Sequence, residues 1–339
     1  MKIKHNIMLT LVIAIICVMI ITLYGRLYKT DDRIKKILDD TRISNHEIIN
    51  DYTSNYQLDN SFFDNSLFSS PAGVLVEDSS IYITDSSKNC VYVFDLAGSL
   101  LKTIGTTGNG NMQFLQPHQI RCYDNLFYIL DSGNNRIQVY SKEFEYEKTI
   151  KLIEFIEWDF GEENDFAYCD MAFDKEGNIF VSALAMQSHN TRVLRIDKQG
   201  IVTQLGDELV GYLASINGEI YFANHKTAIT GLQNGKANTY YLSHENYLYK
   251  LIDGKLDVLS ELPFKYDTVN FTYDNNYLYL SSYSLGTLDK FSVLGQYIGT
   301  IYVFDTDAKI RYMYYDEVYD FFIATSAENG IAFFLSNKN

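Results

Sequence analysis

The residues with the greatest potential for recognition or catalysis are concentrated in three polar segments of the sequence, Glu154–Asp165, Leu184–Thr191 and His225–Glu245. The first segment carries Trp158, the only tryptophan, among several carboxylates. Amphipathic aromatic side chains are favoured at binding sites, where a few polar groups fix the orientation of the ligand. Solvated loops are the alternative interpretation. We predict a ligand-binding rim that comprises Trp158, Asp159, Glu162, Tyr168, His118, His189, His225 and Tyr240.

Histidines provide the only pattern that could hold a catalytic metal. His118, His189, His225 and His244 map to the same side of the predicted strands. Three neutral imidazoles and an open position would suit a zinc ion. A solvated or hydrogen-bonded histidine is the default interpretation of each one. We therefore predict no catalytic residues and no cofactor, and we keep zinc or calcium as the alternative.

Other catalytic and ligand-binding motifs are absent from the sequence. It contains no HExxH, no GxSxG, no phosphate-cradling glycine loop and no EF-hand loop. The glycines between Gly105 and Gly110 lack a following lysine and helix, so this stretch is interpreted as a connecting loop.

The elements that must position these residues are β-hairpins. Phe127–Leu130 and Arg136–Tyr140 are rich in aromatic and β-branched residues, and Asp131–Asn135 between them has turn chemistry. The same apolar-aromatic-apolar-small-polar pattern recurs, with its fifth residue at positions 85, 131, 183, 224, 282 and 325. These positions are about 41 to 58 residues apart, which is typical of propeller blades.

Six copies with few helix signals predict an all-β, six-bladed β-propeller with four-stranded blades over residues 47–339. Five blades have four strand-like segments, whereas the sixth ends after its third, Ile331–Leu335. Open strand edges are avoided in closed folds. We therefore predict that Glu47–Phe63 supplies the missing outer strand of the last blade.

The second repeat resembles an NHL repeat through Pro117, Ile120, Asp131, Asn134, Arg136, Ile137, Gln138 and Val139. The first repeat keeps part of this pattern, and the other repeats keep only the strand pattern. The resemblance implies a six-bladed propeller. Such propellers mostly bind proteins, peptides or RNA, and a few related rings are enzymes, including a zinc-dependent lyase and calcium-dependent lactonases. We expect Asp131 and Arg136 to have a structural role in the hairpin.

The amino terminus carries an apolar run of membrane-spanning length, Ile7–Tyr24. The run is long for a cleaved signal peptide, and no small-x-small cleavage site follows it. We predict a short cytoplasmic tail over 1–6, a transmembrane signal anchor over 7–24 and a partly helical stalk over 25–46. Flanking Lys and Arg residues favour the opposite orientation, but large domains translocate largely regardless of charge. The propeller is therefore expected outside the cytoplasm, on a single-pass membrane protein.

Composition limits the partners. The formal net charge of −15 disfavours a nucleic-acid-binding surface, because such surfaces need Lys and Arg to neutralise phosphates. Four cysteines are too few for a disulfide scaffold. We expect a binding module for a protein, a peptide or an envelope glycan. A metal-dependent propeller enzyme of the lyase or lactonase type is the alternative.

Overall fold

A computed structural model describes residues 56–152, 166–185, 191–207, 210–225, 228–233, 236–241, 247–262, 268–282, 286–304 and 308–337. These residues form six four-stranded antiparallel sheets, which are the blades of a β-propeller. The prediction of a six-bladed ring with four-stranded blades is confirmed. Within the described ranges no helix is long and apolar enough to cross a bilayer. The predicted anchor Ile7–Tyr24 and the predicted stalk lie outside the described residues.

Strands follow one another from the centre outwards in the first five blades. The first three blades are formed by β2 (Pro71–Glu77), β3 (Ser80–Asp85), β4 (Cys90–Asp95) and β5 (Leu100–Ile104); β8 (Pro117–Tyr123), β9 (Leu126–Asp131), β10 (Arg136–Tyr140) and β11 (Tyr146–Lys151); and β12 (Phe166–Phe173), β13 (Ile179–Ala185), β14 (Thr191–Ile196) and β15 (Val202–Asp207).

The next two blades repeat this arrangement, and the fourth contains an additional hairpin. They comprise β16 (Val210–Ile216), β17 (Glu219–His225), β20 (Tyr247–Ile252) and β21 (Lys255–Glu261); and β22 (Thr268–Tyr273), β23 (Tyr277–Ser282), β24 (Thr287–Ser292) and β25 (Tyr297–Val303). Between β17 and β20 the chain forms a separate two-stranded sheet, β18 (Ala228–Gln233) and β19 (Lys236–Tyr241). A short parallel pair, β6 (Thr106–Thr107) and β7 (Gln113–Phe114), lies in the loop between the first two blades.

The sixth blade joins the two ends of the described chain. Its strands are β26 (Tyr312–Asp316), β27 (Phe321–Ser326) and β28 (Ile331–Asn337), and its outer strand is β1 (Tyr56–Asp59). Tyr56 pairs with Asn337 and Asp59 with Phe334, in antiparallel register. The predicted closure by the segment Glu47–Phe63 is confirmed. Of the part of this segment that the structure describes, 56–63, the residues Tyr56–Asp59 form the strand.

Tight turns between strands contain residues with positive φ angles, and Asp, Ser, Asn and Gly are among the residues at these positions. Asp78 and Ser79 both have positive φ and connect the paired residues Glu77 and Ser80. Asn217 and Gly218 close β16 and β17 in the same way. Two consecutive residues with positive φ are typical of type I′ turns, whose twist matches that of the flanking strands.

Apolar side chains fill the spaces between neighbouring blades. Among the described residues, six buried clusters lie one at each interface around the ring. The interface between the first and last blades contains Phe63, whose ring packs edge-on against Phe94 at 5.0 Å between centroids. This interface forms only when the chain has closed on itself, so ring closure and core formation are coupled.

Candidate functional site

The six inner strands run in one direction, so the propeller has two distinct faces. Connections from an outer strand to the next inner strand, and from a second to a third strand, lie where the inner strands begin. We call this side the insertion face and the opposite side the turn face. The β18–β19 hairpin lies on the insertion face because it connects the second and third strands of the fourth blade. The ends of β11 and β13 and the starts of β12 and β14 lie at the same face.

His118 lies at the mouth of the central channel on the insertion face. It is the extra residue of a β-bulge near the start of β8, where Pro117 pairs with Asp131 and Gln119 with Leu130. Its Nδ1 is 3.1 Å from the backbone oxygen of Tyr168 in the next blade. A carbonyl oxygen only accepts hydrogen bonds, so Nδ1 carries the proton and Nε2 has a free lone pair in the neutral ring.

The electrostatic environment keeps His118 neutral. Burial and, to a smaller extent, the Arg311 guanidinium lower the pKa of the imidazole to about 4, against the opposing effect of the Tyr168 carbonyl. Arg311 directly precedes the inner strand of the sixth blade, so its charge acts on His118 across the channel mouth. At neutral pH the mouth therefore presents a fixed cation beside a neutral imidazole.

Two tyrosine rings occupy the channel near this mouth. Tyr212 and Tyr312 belong to the inner strands of the fourth and sixth blades, which are not neighbours. Their rings are nevertheless 5.8 Å apart in an edge-on arrangement, and both are buried. They share a cluster with Ala72 of the first blade. Contact between non-adjacent blades must pass through the channel, so these rings narrow it beneath His118.

Asp170 connects three blades below the mouth. Its carboxylate is fully buried and accepts hydrogen bonds from Gln119 Nε2 at 2.9 Å, Arg121 Nη2 at 3.0 Å and the backbone N–H of Leu213 at 3.0 Å. Burial raises the pKa of Asp170, and Arg121 and the other donors oppose this effect. Such an arrangement orients the second, third and fourth blades relative to one another, which is a structural role.

The structure describes some of the predicted rim residues and places them in different surroundings. Trp158, Asp159, Glu162 and His189 lie outside the described residues. His225 ends β17 and Tyr240 lies in β19, so the backbone of both belongs to the insertion face. His118 lies at the channel mouth, as described above. The ring of Tyr168 is only 1% exposed and packs in the core between the second and third blades, so this residue contributes its backbone carbonyl to the mouth and not its ring.

Sequence reasoning missed Arg311, Tyr212 and Tyr312 as channel residues. Nothing in their local sequence marks them, because they approach His118 and one another only across the closed ring. Arg311 directly precedes the inner strand β26, Tyr312 begins it, and Tyr212 is the third residue of the inner strand β16.

The hairpin residues singled out by the NHL resemblance have structural contacts. Arg136 Nε donates to Asp131 Oδ2 at 2.7 Å. The remaining guanidinium nitrogens donate to the backbone oxygens of Asn109, Gly110 and Gln113. This pair therefore holds the connecting loop of the first two blades against the hairpin, in agreement with the structural role expected for it.

Metal ligands do not converge in the described part of the chain. No group of three or more His, Cys, Asp or Glu side chains there could hold an ion. Of the four histidines considered for a zinc site, His189 and His244 lie outside the described ranges.

The sequence matches the family described as 6-bladed beta-propeller (DUF5128) over residues 61–277. The chain belongs to this family. Membership in DUF5128 agrees with the blade count, whereas the NHL repeat stays a resemblance of the second repeat. No curated protein matches the sequence.

Solved structures with the same fold are diverse. A streptogramin B lyase is similar to 83% of this chain and 97% of its own, with a TM-score of 0.54 and 11% identity. The calcium-binding protein regucalcin from Agrobacterium tumefaciens is similar over 79% and 90%, with a TM-score of 0.55 and 12% identity. An auxiliary nutrient binding protein from Bacteroides thetaiotaomicron is similar over 80% and 70%, with a TM-score of 0.52 and 10% identity. At these identities the likeness shows the fold alone.

Proposed function

We propose that this chain is a recognition module that binds a protein, a peptide or an envelope glycan through the insertion face. The observation that carries the proposal is the β18–β19 hairpin, a sheet that belongs to no blade and is not needed to close the ring. It lies on the same face as the channel mouth with His118 and Arg311. Loops presented by a rigid scaffold commonly carry function.

The direction of β1 determines the face on which the chain enters the propeller. β1 begins opposite the end of β28, and Tyr56 Oη donates to Asp320, which lies in the turn between β26 and β27. The chain therefore enters the propeller on the turn face. We propose that Ile7–Tyr24 anchors the protein in the membrane and that the propeller lies outside the cytoplasm. A tether at the turn face would leave the insertion face directed away from the bilayer.

A metal-dependent enzyme is less favoured by the electrostatics of the mouth. The positive charge of Arg311 beside His118 opposes the approach of a cation, just as it opposes protonation of the imidazole. The resemblance of the second repeat to an NHL repeat agrees better with binding, since NHL-like propellers mostly bind macromolecules.

Replacement of the hairpin tests the proposal. Ala223 pairs with Leu248, so the next pair in register, Asn224 and Tyr247, can be closed by a two-residue Asn-Gly turn in place of residues 225–246. We expect this variant to melt at nearly the temperature of the parent chain and to lose binding to isolated cell-envelope protein and glycan fractions.

The control changes the opposite face. Val318 and Tyr319 are 78% and 55% exposed in a turn of the sixth blade, and their replacement by serine should leave binding intact. Retention of envelope binding by the hairpin replacement, with loss in the Val318/Tyr319 variant, would show that the turn face is the binding surface.

A further inference from the structure

Arg121 presents unused hydrogen-bond donors to the central channel. Its guanidinium has five N–H groups. Nη2 donates to Asp170 Oδ1 at 3.0 Å and Nη1 to the backbone oxygen of Ile120 at 3.3 Å. Within the described ranges the other N–H groups of Arg121 have no partner, although the side chain is only 23% exposed. Donors confined in this way are suited to an acceptor that enters the channel.

Tyr273 lies opposite Arg121. Arg121 belongs to the inner strand of the second blade and Tyr273 ends the inner strand of the fifth, and these blades face each other across a ring of six. Both residues lie in the half of the channel that opens on the turn face. The Tyr273 side chain is 37% exposed, and among the described residues its hydroxyl has no hydrogen-bond partner.

Electrostatic coupling agrees with this placement. Burial raises the pKa of Tyr273, the Arg121 guanidinium lowers it, and the Asp170 carboxylate raises it. Tyr314 of the inner strand β26 donates its hydroxyl to the backbone oxygen of Val76 at 3.2 Å. This hydroxyl is therefore not available to an acceptor that binds Arg121 and Tyr273.

We propose that Arg121 and Tyr273 form a binding site in the central channel for a carboxylate group of a small organic acid. The fork of a guanidinium matches the two oxygens of a carboxylate, and a phenolic hydroxyl adds a third donor. The Asp170 carboxylate already offsets the positive charge of Arg121, so the site accommodates a monoanion better than dianionic phosphate. This site opens on the turn face and is independent of ligand binding at the insertion face.

Calorimetric titration of the chain 1–339 in detergent micelles with acetate tests the proposal. We expect saturable binding of one acetate per chain at neutral pH, with weaker binding of inorganic phosphate. Tyr273→Phe should weaken acetate binding about tenfold, as expected for one hydrogen bond to a charged group. This substitution removes only an unpaired hydroxyl, so the fold should be unaffected.

Two further variants make the result specific. Arg121→Lys keeps a positive charge near Asp170 but lacks the planar fork, and it should also weaken acetate binding at least tenfold. Tyr319→Phe removes an exposed tyrosine hydroxyl on the turn face and should bind acetate like the parent chain. No saturable acetate binding, equal affinity of Tyr273→Phe and the parent, or tighter binding of phosphate than of acetate would overturn the proposal.

Discussion

Deletion of the closing strand should unfold the propeller at a much lower temperature than deletion of the predicted tether and stalk alone. A chain that begins at residue 66 lacks β1, together with Phe62 and Phe63. A chain that begins at residue 42 keeps all three. Phe62 and Phe63 lie in the interface between the last and first blades. β1 pairs with β28 in the last blade, and its Tyr56 and Leu58 pack against the cluster between the fifth and sixth blades.

The magnitude follows from the contacts that are lost. Phe63 is 3% exposed and packs on Phe94, and removal of a buried phenylalanine costs about 3–5 kcal/mol. Phe62 stacks on Phe334 with 3.6 Å between ring centroids, and Tyr56 packs edge-on against Phe322 at 5.1 Å. Each such pair adds about 0.5–1.5 kcal/mol beyond the area it buries. The total of about 5 kcal/mol or more is a large share of a typical folding stability of about 5–15 kcal/mol.

Thermal unfolding followed by circular dichroism measures this effect. At about 2–4 °C per kcal/mol, the chain from residue 66 should melt at least about 10 °C below the chain from residue 42. Phe63→Ala in the longer chain should lower Tm by a large part of that difference, with a single cooperative transition. Equal melting temperatures for the two truncations would refute the reasoning, because β1 would then contribute nothing to closure.

Three further predictions concern individual side chains. The pKa of His118 is lowered from 6.5 to about 4 in the folded protein, so the unfolded chain binds protons more readily, and about 2–3 kcal/mol of folding stability should be lost as pH falls through this range. His118→Gln should reduce this loss in melting experiments at a series of pH values. An unchanged loss would contradict the assignment of the effect to His118. Burial raises the pKa of the Cys90 thiol to about 11, so a thiol reagent at about pH 8 should label it only when the protein unfolds, and rapid native labelling would contradict this. Arg136→Lys should lower the free energy of unfolding by about 2–3 kcal/mol in urea titrations, because lysine cannot reproduce the hydrogen bonds of the guanidinium to Asp131 and the loop carbonyls. Arg195→Lys is the matched control and should have little effect. Equal effects of the two substitutions would contradict this role of Arg136.

The repeat and its closure could be predicted from sequence because both depend on local patterns. Hairpins such as Phe127–Tyr140 alternate apolar and polar residues about a turn, and the missing fourth strand followed from an inventory of strands. The sequence alignment of the sixth repeat was displaced by one residue. It placed Thr325 at the last position of the second strand, but β27 ends at Ser326. Thr325 Oγ1 donates to the Ala72 oxygen, as Thr84 Oγ1 does to the His118 oxygen, so Thr325 corresponds to Thr84.

The channel could not be predicted in this way. Arg311 and His118, or Tyr212 and Tyr312, meet because the ring brings together strands that are far apart in sequence and that belong to non-adjacent blades. The β18–β19 hairpin was a different case, because the sequence contained a signal for it. Asn234-Gly235 stands between two six-residue runs, which is a strong hairpin indication.

Site-specific photo-crosslinking in intact cells tests the central claim most directly, because it compares the two faces whatever the chemical class of the ligand. A photoreactive amino acid would replace Tyr240 in β19 on the insertion face or, in a second variant, Val318 on the turn face. We predict discrete adducts with a protein, peptide or glycan from position 240 and none from position 318. Adducts from position 318 alone, or equal adducts from both positions, would contradict recognition through the insertion face.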